Sequence, residues 1–285
     1  MTIFLQQVIN GLTLGSVFAL VALGLTMIYG ILHVANFAHG SLYMLGGYVI
    51  YLLLASVEIN YWLAILIAAV IFAFIGMVIE RLVFRPLAGK PPLNPFIAAI
   101  GLIFILNNIA LAAWGASYRR FPPINIDSFH LLGATVTVQR VIVLGITIIL
   151  IVLLYLFLKK TAMGSTIEAV AQDPEGAELV GINVNRVGAV TFALGTGLAA
   201  VAAGLIGPLT LIYPTMGDHI TLYAFVIIIL GGMGSIPGAI FGGYILGLLK
   251  CLSAAYISVA YNEVVVFAAM IAVLAIKPTG LFGRE

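Results

Sequence analysis

Two short stretches hold polar groups that could do chemistry in otherwise apolar surroundings. The run His33-Val34-Ala35-Asn36-Phe37-Ala38-His39-Gly40-Ser41 sets two imidazoles, an amide and a hydroxyl between apolar segments. As a metal site it is poor, because the two histidines have no acid or cysteine nearby to complete a ligand set. It admits two readings: a polar cytoplasmic turn with Asn36 as an N-cap, or the inner mouth of a translocation path formed by Asn36, His39 and Ser41. The second stretch, Gly231-Gly232-Met233-Gly234-Ser235-Ile236-Pro237, combines three glycines with a proline. At membrane depth such a run breaks a helix, and the freed backbone groups must face protein or a water-filled cavity. Gly231, Gly232, Gly234 and Ser235 are therefore further path candidates. No catalytic or metal site is expected. Nor is there a P-loop, since Gly89-Lys90 is followed by Pro91 and lacks the upstream glycine. Nucleotide chemistry has to come from another chain.

The elements around these groups follow from composition. Of 285 residues, 63% are apolar and 8% charged, with a mean hydropathy of +1.23. Soluble domains run near half apolar and a quarter charged, so this excess does not fit inside a water-soluble core. Soluble enzymes, nucleic-acid modules and disordered chains are excluded. The net charge of +2 is too small to imply a polyanionic partner. Cys251, the single cysteine, permits no intrachain disulfide and is expected as a small buried residue. The N-terminus lacks a basic n-region, so the first segment is expected to stay in the mature protein.

Crossing the hydrocarbon core takes about 20 mostly apolar residues. Spans are predicted near 4–29, 37–57, 61–83, 96–114, 141–158, 187–212, 220–231, 237–256 and 264–276. The segment 220–231 is short and could be re-entrant, so eight or nine spans are tenable in an all-α polytopic membrane protein with some helices broken. With the loop 84–95 cytoplasmic, alternation gathers Arg81, Arg85, Lys90, Lys159, Lys160, Arg186, Lys277 and Arg284 inside and leaves Arg119, Arg120 and Arg140 outside. That asymmetry obeys the positive-inside rule. Nine spans put the N-terminus outside and the C-terminus inside. The outer loop at about 115–139 suggests a short hairpin around Thr135-Val136-Thr137-Val138. The inner loop, about 160–186, holds Glu168, Asp173, Glu175 and Glu178.

Ionisable groups within the spans are few: His33, His39, Lys250 and Glu263, the last two near an interface. This argues against a proton or sodium relay and for a path lined by small and apolar residues. Lys250 is expected to snorkel to the outer interface beside Glu263. Gly234, Gly238 and Gly242 recur every four residues, as do Gly243 and Gly247, and Gly11 and Gly15. Such spacing suits close helix packing, either static or sliding. Leu45-Gly46-Gly47 and Leu230-Gly231-Gly232 hint at an internal repeat. In the inner loop a short helix is predicted over 168–182, with Asp173 as N-cap, Pro174 as first helical residue, Glu175 near the positive end of the dipole and Gly181 as the left-handed stop. Ala177, Leu179 and Val180 give it an apolar face, with Glu175 and Glu178 opposite.

From Asn36-Phe37-Ala38-His39-Gly40 onward the chain resembles the permease subunits of bacterial ABC importers for branched-chain amino acids. Gly11-Leu-Thr-Leu-Gly15, Ala22-Leu-Gly-Leu-Thr-Met-Ile-Tyr-Gly30, Arg85-Pro86-Leu87 and Ile100-Gly101-Leu102 are similar to the family's first half. Ala169-Val-Ala-Gln-Asp-Pro174, Gly181-Ile182, Leu230-Gly-Gly-Met-Gly-Ser-Ile-Pro-Gly238 and Pro278-Thr-Gly-Leu-Phe-Gly283 are similar to its second. The match is nearest to the H-type half of a two-permease pair. The resemblance implies one transmembrane permease domain over residues 1–285 in the bacterial inner membrane, non-enzymatic and binding no cofactor. It also implies a related second permease, a hetero-dimer more readily than a homodimer. Two cytoplasmic ATPases would carry ATP and Mg, and a periplasmic binding protein would deliver the solute. The family's coupling helix falls on Glu168, Asp173, Pro174, Glu175, Gly176, Ala177, Glu178 and Gly181, with a solvated connecting helix as the alternative. Two positions depart from the family: Glu168, where a basic residue is expected, and Lys250, where an acid is usual. Urea, amide and other amino-acid importers share this architecture, and an ATP-independent transporter or facilitator is the competing function.

Overall fold

The computed structural model describes residues 2–32, 34–122, 127–131 and 133–283. His33 and Arg284, weighed above, lie outside the described residues. In lipid every backbone group must be satisfied within the protein, so the long apolar runs close into helices. They are α1 (Thr2–Leu32), α2 (His39–Ala55), α3 (Tyr61–Ile79), α4 (Leu93–Trp114), α5 (Val138–Lys160), α6 (Ala162–Gln172), α7 (Pro174–Leu179), α8 (Val184–Ile206), α9 (Met216–Gly231), α10 (Ile236–Tyr256) and α11 (Asn262–Ile276). Among the described residues seven helical stretches are long and apolar enough to cross a membrane, and α2 and α9 are shorter apolar helices. Between α4 and α5 an antiparallel hairpin joins β1 (Ser128–Leu131) to β2 (Ala134–Thr137). This is the hairpin foreseen at Thr135, turning on Gly133 at φ 86°.

The packing decides between eight and nine passes. Gln6 bonds the Thr135 backbone in both directions, at 3.1 and 2.9 Å, so α1 starts at the hairpin end. At the other end of α1, Gly30 adjoins Gly234 in the turn after α9. That turn also carries the C-terminal segment, with Leu281 N–H on Leu230 O and Phe282 N–H on Gly231 O, both 2.9 Å. The chain therefore begins and ends on opposite sides, as nine passes require.

Burial sorts the helices into layers. In the most apolar window of α1, 83% of residues are buried, against 11% in the last span. The helix α1 is the core of the bundle, while α4, α5 and α11 turn Leu, Ile and Phe outward to lipid. Around α1 the packing repeats with inverted orientation. The helix α3 runs along α8 as α10 runs along α1, and α2 meets α3 and α8 as α9 meets α10 and α1. The two units cross where Gly24 faces Gly195 and Gly40 faces Gly217. This is an inverted repeat of the kind transporters use. Its markers are those glycines and not the two Leu-Gly-Gly triplets, since Gly46 packs on Ala200 within α2 while Gly232 ends α9 against Gly283.

Two glycine expectations change. Gly234 does not share a helix face with Gly238 and Gly242, because it precedes α10 at φ 80°. Gly238 and Gly242 bring α10 onto α9, whereas Gly243 and Gly247 bring it onto α1 at Ala19 and Gly11. The break at 231–237 lies at the end of α9 rather than at membrane depth. Its freed carbonyls on Leu230 and Gly231 are taken by the C-terminal segment, and Ser235 caps α10 by accepting from Gly238 N–H at 3.2 Å.

Candidate functional site

Breaks at membrane depth occur instead where α2 and α9 begin. Near the outer ends, Tyr61 donates to Gly204 O at 2.9 Å and Gln139 donates to both Tyr61 and Leu205 O. Ile50 of α2 lies at this level, against Gly204. Gly40 is ten residues along α2 from Ile50, about 15 Å at the helical rise. Here the first turns of α2 and α9 meet. Gly40 N–H donates to the Thr221 hydroxyl at 3.0 Å, and that hydroxyl reaches Phe37 O and Gly217 O at 3.1 and 3.0 Å. Glycine is required at both positions: a Cβ on Gly40 would lie 2.0 Å from Gly217 O, and one on Gly217 would lie 2.4 Å from Gly40 O.

Beside this junction a cavity of about 380 Å³ opens between α4, α9 and the turn before α2, with Phe37, Ile103, Phe104, Leu222 and Phe225 as apolar walls and Asn107 and Asp218 as polar ones. The Phe37 ring stacks on Phe225 at 4.2 Å. A relay crosses the polar side: Ser41 Oγ donates to Asn107 Oδ1 at 3.0 Å, and Asn107 Nδ2 donates to Asp218 Oδ1 at 3.1 Å. Asp218 lies in the first turn of α9, where the helix dipole favours a carboxylate. Of the residues singled out in the sequence, Ser41 joins this relay. Asn36 and His39 are fully buried behind it. Asn36 Oδ1 accepts from Ala38 N–H at 3.2 Å, so it closes a turn before α2 while Ala38 takes the cap position. The His39 ring turns inward against the Val21 backbone. Gly231, Gly232, Gly234 and Ser235 lie past the far end of α9, thirteen residues and about 20 Å from Asp218 to Gly231.

Asn107, Asp218 and Thr221 were not legible as a group, since Asp218 counts as an outer-loop acid when α9 is begun at Ile220. A buried acid is also new. Glu80, 1% exposed, sits in a π-helical turn (Glu80–Phe84) that continues α3, and takes a two-pronged pair from Arg85 at 3.1 and 2.6 Å. Arg85 also donates to Asn185 O at 3.2 Å, tying α3 to the start of α8.

Lys250 corrects its expectation. Its ammonium does not snorkel outward but donates to the Tyr223 hydroxyl, 3.7 Å from that ring's centroid. Tyr223 is buried and donates in turn to Glu263. The partner anticipated for Lys250 is therefore reached through a phenol. A desolvated ammonium gains more from a hydroxyl, a ring face and a nearby carboxylate than from lipid headgroups alone.

At the opposite side of the bundle the inner loop folds into two helices, not one. Glu168 belongs to α6, where it pairs with Lys159 at 2.5 Å. The shorter α7 has the foreseen ends: Asp173 accepts from Gly176 N–H at 3.0 Å, Pro174 opens the helix and Gly181 follows at φ 87°. Its apolar side divides. Ala177 turns inward at 5% exposure, while Leu179 and Val180 stand out at 89% and 77%. Glu175 and Glu178 are exposed beside them. Among the described residues no three His, Cys, Asp or Glu side chains are placed to hold a metal ion.

The fold and the sequence both have counterparts among known proteins. PsaBC from Streptococcus pneumoniae, solved in complex with a Fab, matches the fold with a TM-score of 0.51 at 13% identity, covering 97% of this chain and 92% of that one. The permease protein LivH of the high-affinity branched-chain amino acid transport system of Salmonella typhimurium is 39% identical over 99% of this chain and 96% of its own length. BraD, the corresponding permease protein of Pseudomonas aeruginosa, is 36% identical over the same shares. The family model described as "Branched-chain amino acid transport system / permease component" matches residues 7–274. With nine apolar helices among the described residues, an inverted repeat and this match over nearly its whole length, the chain is a multi-pass membrane protein that belongs to the family of branched-chain amino acid transport permeases.

Proposed function

We propose that this chain is one permease half of an ATP-driven importer that moves branched-chain or related hydrophobic amino acids into the cytoplasm. The observation that carries the reading is α7. A capped helix at the end of the bundle that bears most of the cations presents Leu179 and Val180 to solvent beside two acids. Isolated large apolar groups on a rigid, charged tip are suited to a groove on a partner protein. In this reading the partners there are two ATPase subunits, which bind ATP and Mg, and this chain holds no cofactor of its own. A second, related permease completes the path, and a periplasmic binding protein delivers the solute. Residues 1–285 act as one permease domain. Closure of the ATPases would push α7 through residues 173–181, with Glu168 steadying the adjoining α6. The path runs on the side of Ser41, with Asn36 and His39 packed behind it and Gly231, Gly232, Gly234 and Ser235 forming the turn that holds the inner end of α9.

The reading is tested by cross-linking in the assembled transporter. Leu179→Cys, in a Cys251→Ala background, should couple to a cysteine on an ATPase subunit with a short bis-maleimide, and the yield should change with ATP. Absence of any ATPase adduct, with normal assembly, would overturn the coupling role of α7.

A further inference from the structure

We propose that the cavity between α4, α9 and the turn before α2 is a seat for the transported amino acid, in which Asp218 anchors the α-ammonium and the apolar walls receive the aliphatic side chain. This rests on the proposed function and names the site within it.

The first support is depth. Asp218 adjoins the Gly40–Gly217 crossing, about 15 Å below the Tyr61–Gln139 layer. A carboxylate on a lipid-facing surface at that depth is costly, and such groups instead face a cavity or a partner. The second is its pairing. Among the described residues the ion pairs are Arg85–Glu80 and Lys159–Glu168, so Asp218 has no cation. Asn107 occupies only Oδ1, and Asn107 is itself fixed by Ser41. The carboxylate is thus oriented and held for a cation that the described residues do not supply. The third is the opposite wall, where Ile103, Phe104, Leu222 and Phe225 offer an apolar surface and no further charge. A volume of about 380 Å³ lies within the range of small-molecule sites. One anionic anchor facing an aliphatic wall selects an alkylammonium. An amino acid with a branched aliphatic side chain meets both demands, and its carboxylate is left on the open side.

Protection from alkylation tests this on the complete transporter, with both permeases, ATPases and binding protein. Leu222→Cys in a Cys251→Ala background places the only cysteine of this chain on the apolar wall, and Ile103→Cys serves if that variant fails to assemble. L-Leucine at ten times its dissociation constant should slow N-ethylmaleimide labelling about tenfold. 3-Methylbutylamine, which keeps the ammonium, should protect, whereas 4-methylpentanoate, which lacks it, should not. Adding Asp218→Asn should weaken protection by leucine about 10- to 100-fold, the loss expected for one charge-assisted bond. The seat is overturned if leucine is taken up while labelling is unaffected at every concentration, or if 4-methylpentanoate protects as well as leucine. A transporter that takes up no leucine contradicts the proposed function instead, and protection by 3-methylbutylamine then still decides for or against the seat.

Discussion

Replacing Gly40 by alanine should open the junction on which the mid-membrane site depends. The new Cβ would stand 2.0 Å from Gly217 O, 2.2 Å from Thr221 Oγ1 and 2.8 Å from Thr221 N. Two of these three atoms are backbone, so no rotamer change relieves the clash. Restoring ordinary contact to about 3.4 Å separates α2 from α9 by about 1.4 Å, a strain of the kind that costs about 1–3 kcal/mol. The same displacement breaks the 3.0 Å bond from Gly40 N–H to Thr221, worth about 1 kcal/mol. Alanine returns about 0.5–1 kcal/mol of helix propensity. The net loss is about 1–3 kcal/mol. Tryptophan fluorescence during denaturant unfolding in detergent measures it. Gly101→Ala is the control, because nothing lies within 4 Å of a Cβ there, and it should be neutral or stabilising. If Gly40→Ala unfolds together with Gly101→Ala, the crossing at Gly40 and Gly217 is not as close as described.

Other perturbations separate the remaining contacts. Arg85→Met leaves the buried Glu80 carboxylate unpaired and should destabilise the protein by about 3–5 kcal/mol, visible as a lower unfolding midpoint, with Glu80→Gln added to the same chain recovering most of it. Lys250→Met should cost about 1–3 kcal/mol through loss of the Tyr223 and Glu263 connection, and a double-mutant cycle with Glu263→Gln should return a non-zero coupling, whereas an additive result would mean the three groups act independently. Leu179→Asp should leave the unfolding midpoint unchanged, since the side chain is 89% exposed, while abolishing ATP-driven uptake, and unaltered uptake would count against α7 as the ATPase contact.

Much of the fold was legible because the bilayer leaves few solutions. A chain with no Asp, Glu, Lys or Arg in residues 1–57 has to run through lipid as helix, and every predicted span overlaps an apolar helix, seven of them of membrane-crossing length among the described residues. The ends of α7 were legible too, because Asp173, Pro174 and Gly181 each act on their immediate neighbours. The candidate site was not. Ser41 and Asn107 lie 66 residues apart and Asn107 and Asp218 lie 111 apart, and only the packing of α2, α4 and α9 brings them together. Nothing local marks Asp218 as deeper than a loop acid except the shortness of the apolar run that follows. Lys250 misled for a related reason: snorkelling is what a lone lysine does near a helix end, and Tyr223 becomes its acceptor only through the packing of α10 on α9. The glycine run at 231–237 signalled a break correctly but not its depth, which is set by where α9 starts.

Uptake of radiolabelled L-leucine into proteoliposomes that contain this chain, with its second permease, ATPases and binding protein added or withheld one at a time, decides between an ATP-driven importer and a facilitator. Accumulation against a gradient should require ATP and every component, and should stop when any one is withheld. Uptake by this chain alone, without ATP, would contradict the account and identify a facilitator instead.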